Sequence, residues 1–303
     1  MSAPVVETEM AVIGPPDLDT LDLTGPIIPL KARSCGMTDA GRVRASNQDQ
    51  FLIATLRKAL HTEATSLPVA HVQDSGDECQ ILMVADGMGG HAAGEQASAL
   101  AIDSVEAFAL HTFKWFAQFT ANDEDRVLHD FQNALGQANS RILAEAAEHP
   151  ELKGMGTTLT LAYRLNDRLF VAHVGDSRCY LLRQRALYRL TTDHTLTEDM
   201  VRQGVLNPED AAKHRWRHVI TNAVGANTPE VTVEVHKLHL EPGDTLLLCS
   251  DGLTNMVSDQ EITNLLTAVA EPAQSCKQLV SKANEKGGTD NITVIVAQFE
   301  KAG

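Results

Sequence analysis

Five acids stand at the ends of apolar runs that lie far apart in the chain. Asp86 follows Ile81-Leu82-Met83-Val84-Ala85 and opens the stretch Asp-Gly-Met-Gly-Gly-His, and Asp251 follows Leu246-Leu247-Leu248-Cys249-Ser250 and precedes Gly252. Asp176 comes after Leu169-Phe170-Val171-Ala172-His173-Val174-Gly175. Asp290 stands just before Ile292-Thr293-Val294-Ile295, and Asp49 just before Phe51-Leu52-Ile53-Ala54. Taken singly, each acid suits a turn, because a short carboxylate bonds nearby backbone amides. Taken together they allow another chemistry. If two sheets are stacked, acids at matching strand ends converge in one cleft and repel one another unless cations neutralise them. Two oxygen-bound divalent ions about 4 Å apart are a known device for displacement at phosphorus. The glycines after Asp86 would let backbone and substrate approach closely.

The elements that must position these acids can be read from periodicity. Cys79 to Val84 is a short apolar run suited to a buried strand, and Ala97, Ile102, Val105, Phe108, Ala109 and Phe113 recur at helical spacing behind the glycines. A second helix is expected from about Asp123 to Glu148, with Val127, Leu128, Phe131, Leu135, Ala138, Ile142 and Leu143 on one face. A meander follows, with strands at 157–164, 169–175, 178–182 and 187–190, whose short connections imply antiparallel pairing. Residues 196–217 read as two short helical pieces broken at Gly204 and Asn207-Pro208. Strands are expected at 231–238 and 245–250, joined across Pro242-Gly243. Ser258-Asp259-Gln260-Glu261 is a capping box, Pro272 suits the start of a further helix that stops at Gly287-Gly288, and 292–299 is a final strand. Strands and paired helices in blocks, rather than alternating βαβ units, predict an α+β sandwich.

Composition narrows the function. A chain of 303 residues that is 43% hydrophobic can bury a large core, while a net charge of -15 argues against nucleic acid or an anionic membrane surface as partner. The five cysteines are odd in number, scattered, and free of any Cys-x-x-Cys pair, which disfavours a disulfide framework or a zinc site. No basic-then-apolar leader and no apolar run of roughly 20 residues is visible. A cytoplasmic protein that does not enter a membrane is expected, monomeric because no heptads or large apolar stripe announce an interface. Residues 1–33, with several prolines and no sustained period, read as a flexible tail, and 34–303 as one domain.

The stretches GRVRASNQD, ADGMGGHAAGE, GMGTTL, VAHVGDSRCYL, LTTDHT, LCSDGL and GGTDNITVI occur in this order. Singly each is weak, but the ordered series resembles the metal-dependent protein phosphatases of the PPM (protein phosphatase 2C) family, bacterial branch, over about Ser34 to Phe299. The resemblance implies a four-layer α-β-β-α sandwich, with two central antiparallel sheets flanked by helices and a metal site at one end of the sheets. It implies hydrolysis of phosphoserine and phosphothreonine in proteins, reversing a cognate serine/threonine kinase, by in-line attack of a water bridging two Mg²⁺ or Mn²⁺ ions. Carried over residue by residue, Asp86 bridges both ions, the Gly87 carbonyl is a further ligand, and Asp49, Asp251 and Asp290 complete the shell directly or through waters. Asp176 holds a third, weaker ion.

The resemblance further implies that Arg44 grips the substrate phosphate, which suits a guanidinium fork, the alternative being a surface ion pair. Many eukaryotic relatives carry a histidine after this Asp-Gly, where the present chain has Met88. That leaves His91 or a metal-held water as donor to the leaving group, or His91 as a positioning residue. Met200 to Arg217 matches a flap over the site, and His214, Trp216 and Arg217 could either contact phosphoprotein or form a solvated loop. Cys249 lies in an apolar run without a Cys-x5-Arg loop, so core packing is expected of it rather than nucleophilic attack. The rival readings are a binding module on the same fold and a phosphomonoesterase for small molecules. Retention of Arg44 and of the acids favours an enzyme.

Overall fold

The sequence patterning requires buried strands with no solvated face. In Ile292–Lys301 the first six residues are all buried, and in Leu159–Leu165 and Arg168–Val174 every residue is. Such strands read as largely apolar rather than alternating, because both of their faces are covered, and the polar exceptions in the strand at 159–165, Thr160 and Arg164, are buried with hydrogen-bond partners. The computed structural model describes residues 28–61, 72–112, 121–226 and 230–302. Its strands and helices run β1 (Leu30–Asp39), β2 (Asp49–His61), β3 (Val72–Met88), α1 (His91–Thr112), α2 (Ala121–Glu148), β4 (Gly156–Thr157), β5 (Leu159–Leu165), β6 (Arg168–Val174), β7 (Arg178–Arg183) and β8 (Ala186–Arg189). They continue with α3 (Leu196–Arg202), α4 (Pro208–Lys213), β9 (Val224–Gly225), β10 (Glu234–His239), β11 (Thr245–Cys249), α5 (Asp251–Thr254), α6 (Asp259–Ala268), α7 (Pro272–Glu285) and β12 (Ile292–Lys301).

Two antiparallel sheets form. One has the order β1-β12-β11-β7-β8, and the other β10-β6-β5-β3-β4-β9 with β2 paired to β3. Residue parity sorts the core into three slabs. Leu82 and Val84 of β3 meet Leu246, Leu248, Ile295 and Ala297 between the sheets. Ile81, Met83 and Ala85 point the other way, onto α1 and α2, where Val127, Phe131, Leu135, Ala138 and Ile142 are buried as the helical spacing predicts. On the far side Leu247, Cys249, Val294 and Val296 pack on α6 and α7 through Ile262, Leu266, Leu279 and Ala283. The result is the four-layer α-β-β-α sandwich. The capping box at Ser258 and Glu261 is formed in both directions, and Pro272 occupies the first turn of α7.

Three local expectations are revised. β1 starts at Leu30 rather than after residue 33, because Leu30 is buried and pairs with Lys301 of β12, so residues 30–33 belong to the sheet. The expected tail at 1–27 lies outside the described residues. The meander is not one sheet: β5 pairs with β6 and β7 with β8, but β6 and β7 belong to different sheets. Gly175, with φ +111°, turns the chain between them, and a Cβ there would lie 2.5 Å from Thr158 Cβ. The link across Pro242-Gly243 likewise carries the chain from β10 in one sheet to β11 in the other. A short link predicts pairing only when both strands share a layer.

Candidate active site

The sheet-switching corners and strand ends gather the acids. Asp49 opens β2 directly opposite Asp86 in the β2–β3 ladder, a pairing that brings Cα atoms within about 4.5–5.5 Å. Asp251 is the first residue of α5, immediately beyond β11. Asp290 precedes β12, and Asp176 sits in the corner between β6 and β7. Both sheets therefore contribute. Ser250 ties them together: its Oγ donates to Asp49 Oδ2 (2.7 Å) and accepts from the Thr293 amide (3.0 Å). Asp86 is held by its backbone, its amide donating to Thr158 Oγ1 (3.0 Å) and its carbonyl accepting from the Thr158 amide (2.9 Å) and from Thr157 Oγ1 (2.9 Å). Gly87 fits because a Cβ would collide with the Gly94 carbonyl oxygen at the start of α1.

The acids raise one another's proton affinity. Burial pushes the Asp49 carboxyl up to about 7, with Asp251 and Asp290 adding to the push against the hydrogen bonds of Ser250 and Thr293. Asp86 is driven well above the ordinary carboxylate value by burial and then by Asp49, Asp251, Asp176 and Asp290. Asp176 follows through burial, Asp251 and Asp193, and Asp251 through burial and Asp290. Asp49 Oδ1 and Asp251 Oδ1 are buried without a hydrogen-bond partner. Unsatisfied carboxylate oxygens in a desolvated, mutually repelling group form a donor set that fits a hard divalent cation such as Mg²⁺ or Mn²⁺.

Above the acids lies a cleft of about 570 Å³ lined by Arg44, Asp86, Gly87, Asp176, Asp251 and Asp290. Arg44 Nη2 donates to Asp290 Oδ2 (2.7 Å), and about half of the Arg44 side chain is exposed. That hydrogen bond holds the Arg44 pKa above its ordinary value, against burial. A second cleft of about 800 Å³ runs beneath α3 and α4, lined by Lys213 and Arg217, by Asp176 and Asp251, and by Arg178 and Arg189 in ion pairs with Asp193 and Glu198. Arg217 and His218 border both clefts, and His218 Nδ1 lies 3.9 Å from Asp251 Oδ2.

Not every expected residue gathers there. Met200, His214 and Trp216 border neither of these clefts. Trp216 is instead engaged on the flap itself, 5.2 Å from the His214 ring and with Arg215 Cζ 4.6 Å from its centroid. His91 opens α1, and its side chain lies outside the described residues. Sequence reasoning gave no role to Ser250, Thr158 or Asn255, whose Nδ2 donates to Asp251 Oδ2 (3.0 Å). Ser250 and Thr158 lie inside the quoted stretches LCSDGL and GMGTTL, whereas Asn255 is signalled only by its helical spacing from Asp251. Cys249 is fully buried and its thiol is pushed far up by burial, which suits packing and not attack.

A family model described as protein phosphatase 2C matches residues 69–286. The chain belongs to the protein phosphatase 2C family. It is 34% identical over 261 residues to the serine/threonine phosphatase stp of Listeria monocytogenes serotype 4b, covering 86% of this chain and 93% of that one. It is 32% identical over 273 residues to the protein phosphatase PhpP of Streptococcus pneumoniae serotype 2, covering 88% and 96%. Among solved structures it resembles the Mycobacterium tuberculosis serine/threonine phosphatase PstP/Ppp, with a TM-score of 0.71 at 35% identity, covering 89% of this phosphatase and 99% of that chain. The PstP catalytic domain in complex with two manganese ions gives a TM-score of 0.69 at 34% identity, with the same coverage.

Proposed function

We propose that this phosphatase hydrolyses phosphoserine and phosphothreonine in proteins, opposing a serine/threonine kinase. The observation that carries the reading is the convergence of Asp86, Asp176, Asp251 and Asp290 from both sheets at one cleft with Arg44 on its rim, and Asp49 buried directly opposite Asp86. In this reading Asp49, Asp86, Asp251, Asp290 and the Gly87 carbonyl hold two Mg²⁺ or Mn²⁺ ions, and Asp176 a third. When bound, these ions supply Lewis-acid activation of water and neutralise the charge that develops at phosphorus.

Arg44 binds the phosphate. Its guanidinium exchanges part of the Asp290 bond for phosphate oxygens, a planar fork suited to two acceptors at once. Asp290 aligns Arg44 before substrate arrives. Ser250 and Thr158 fix Asp49 and Asp86, so the donor set is organised before any ion enters. Chain flanking the phosphorylated residue lies along the second cleft, where Lys213 and Arg217 favour acidic side chains in an otherwise acidic protein.

Five cysteines that are all free, and no helix among the described residues long and apolar enough to cross a membrane, support a cytoplasmic location. A monomer with the phosphatase unit beginning at Leu30 is the working form. The experiment that tests the reading is phosphate release from a phosphothreonine peptide and from a small aryl phosphate, with chelated protein, with added Mn²⁺ or Mg²⁺, and with Asp251→Asn. Ion-dependent release, lost in the variant and faster on the peptide, is expected. No release with any ion from folded protein would refute the enzyme reading, and preference for the aryl ester would refute the protein substrate.

A further inference from the structure

His173 is buried, and His194 and Glu234 are partly buried, just behind the Gly175 corner, where all three side chains offer ligand atoms within 4.8 Å of one another. Their spacing would admit a metal ion, but the hydrogen bonds around them argue otherwise. The Gly175 amide donates to His194 Nδ1 (3.1 Å), and Asn222 Nδ2 approaches the same nitrogen at 3.0 Å. Asn222 is itself oriented, its Oδ1 accepting from the Thr232 amide (3.3 Å) and its Nδ2 donating to the Thr232 carbonyl (2.6 Å). Two donors facing Nδ1 fix the lone pair there and place the proton of neutral His194 on Nε2, which lies 3.7 Å from Glu234 Oε2. A protonated nitrogen is not a metal ligand. His173 is committed too: Nε2 faces the carbonyl oxygens of Gly175 (3.0 Å) and Thr192 (3.1 Å), and Nδ1 meets Thr160 Oγ1 (2.9 Å). Glu234 accepts from the Thr192 amide (3.0 Å) and pairs with His236 Nε2 (2.7 Å).

The focus of these bonds is a single glycine. The Gly175 amide is held by the His194 ring, and its carbonyl accepts from the His194 amide (2.7 Å) and from His173. The next two residues are Asp176, which borders the acid cleft, and Ser177, whose Oγ lies 2.8 Å from Thr158 Oγ1. Thr158 in turn accepts from the Asp86 amide. The geometry points to a clamp in which His194, oriented by Asn222 and packed against the His173 ring with centroids 5.0 Å apart, acts as a positioning residue that sets Asp176 and, through Ser177 and Thr158, the Asp86 corner. This gives the Gly-Thr-Thr, Gly-Asp-Ser and Thr-Thr-Asp-His stretches one shared purpose, although only one of them carries an acid expected to bind an ion.

The inference rests on the phosphatase reading, because Asp176 acts through what it holds. Outer partners that orient ligands are typically worth 10–100-fold in metal affinity or activity. The test is Mn²⁺ titration by calorimetry, with kcat and KM on a phosphothreonine peptide, for the wild type, His194→Ala and His194→Asn. Asparagine places a carboxamide oxygen close to where Nδ1 stood, so it still accepts from the Gly175 amide. His194→Ala is expected to weaken the weakest Mn²⁺ step roughly tenfold and to lower kcat by a similar factor at little changed KM. His194→Asn is expected to recover most of both. Equal behaviour of the two variants would overturn the clamp. So would tight 1:1 binding of Zn²⁺ in Asp86→Asn protein that disappears on adding His194→Ala, because the cluster would then be a metal site. If the wild type binds Mn²⁺ but hydrolyses no phosphopeptide, the functional reading fails, while the calorimetric comparison still decides the clamp.

Discussion

Replacing Asp49 by asparagine should make the ion-free protein more stable while removing most of its response to Mn²⁺. Asp49 is 2% exposed, and its carboxyl is pushed by burial, Asp251 and Asp290 from an ordinary 3.8 up to about 7. Well below pH 3.8 the group is protonated in both the folded and unfolded chain and costs nothing. As pH rises towards 7 the unfolded chain releases the proton first, so stability falls, and the loss is complete above 7. The shift corresponds to on the order of 4 kcal/mol at pH 8. Asparagine keeps an acceptor for Ser250 Oγ and replaces the unpartnered Oδ1 with an amide donor or its equivalent.

At about 2 °C per kcal/mol for a domain of this size, chelated Asp49→Asn protein should melt roughly 8 °C above chelated wild type at pH 8, and level with it near pH 4. The assay is thermal unfolding of both proteins across pH 4–8, in chelator and in Mn²⁺. Comparing the two at each pH cancels His173, whose burial holds its pKa at about 4 and which therefore makes stability rise with pH up to about 6.5. A variant no more stable than wild type at pH 8, or one with an undiminished Mn²⁺ response, would refute the view that the acids are held together against their own repulsion to bind ions.

Arg44→Lys should raise KM for a phosphopeptide about tenfold with a smaller change in kcat, because a point charge cannot reproduce the fork; steady-state kinetics decides this. Gly175→Ala should lower stability by about 2–3 kcal/mol, since φ is +111° and the new Cβ would meet Thr158 at 2.5 Å, as denaturant unfolding would report. Cys249→Ser should retain ion-dependent hydrolysis while losing about 1–3 kcal/mol of stability, because a hydroxyl is poorly matched to that buried site; loss of hydrolysis in folded variant protein would revive the thiol as nucleophile. Arg217→Glu should reverse the preference between acidic and basic flanks in a phosphopeptide series while leaving aryl phosphate hydrolysis within about threefold, in keeping with a surface charge that steers rather than reacts.

The sequence by itself determined an α+β sandwich and marked the acids, while the four-layer order entered through the family resemblance. The largely apolar runs in β6 and β12 require cover on both faces, and helical spacing from Val127 to Ile142 supplies one of the covering layers. An acid ending each of several buried strands was visible without coordinates because it interrupts those runs. Tertiary structure alone decided which strands share a sheet. Asp176 reaches the cleft because Gly175 turns the chain from one sheet to the other, and a short link in sequence carries no mark of such a crossing. It also decided that Ser250 spans Asp49 and Thr293, at separations of 201 and 43 residues, and that Trp216 stacks on its own flap while Arg217 and His218 face the acids. Periodicity records the environment averaged along one element, whereas these hydrogen bonds and side-chain directions depend on which distant element lies opposite, and that is set only when the layers close.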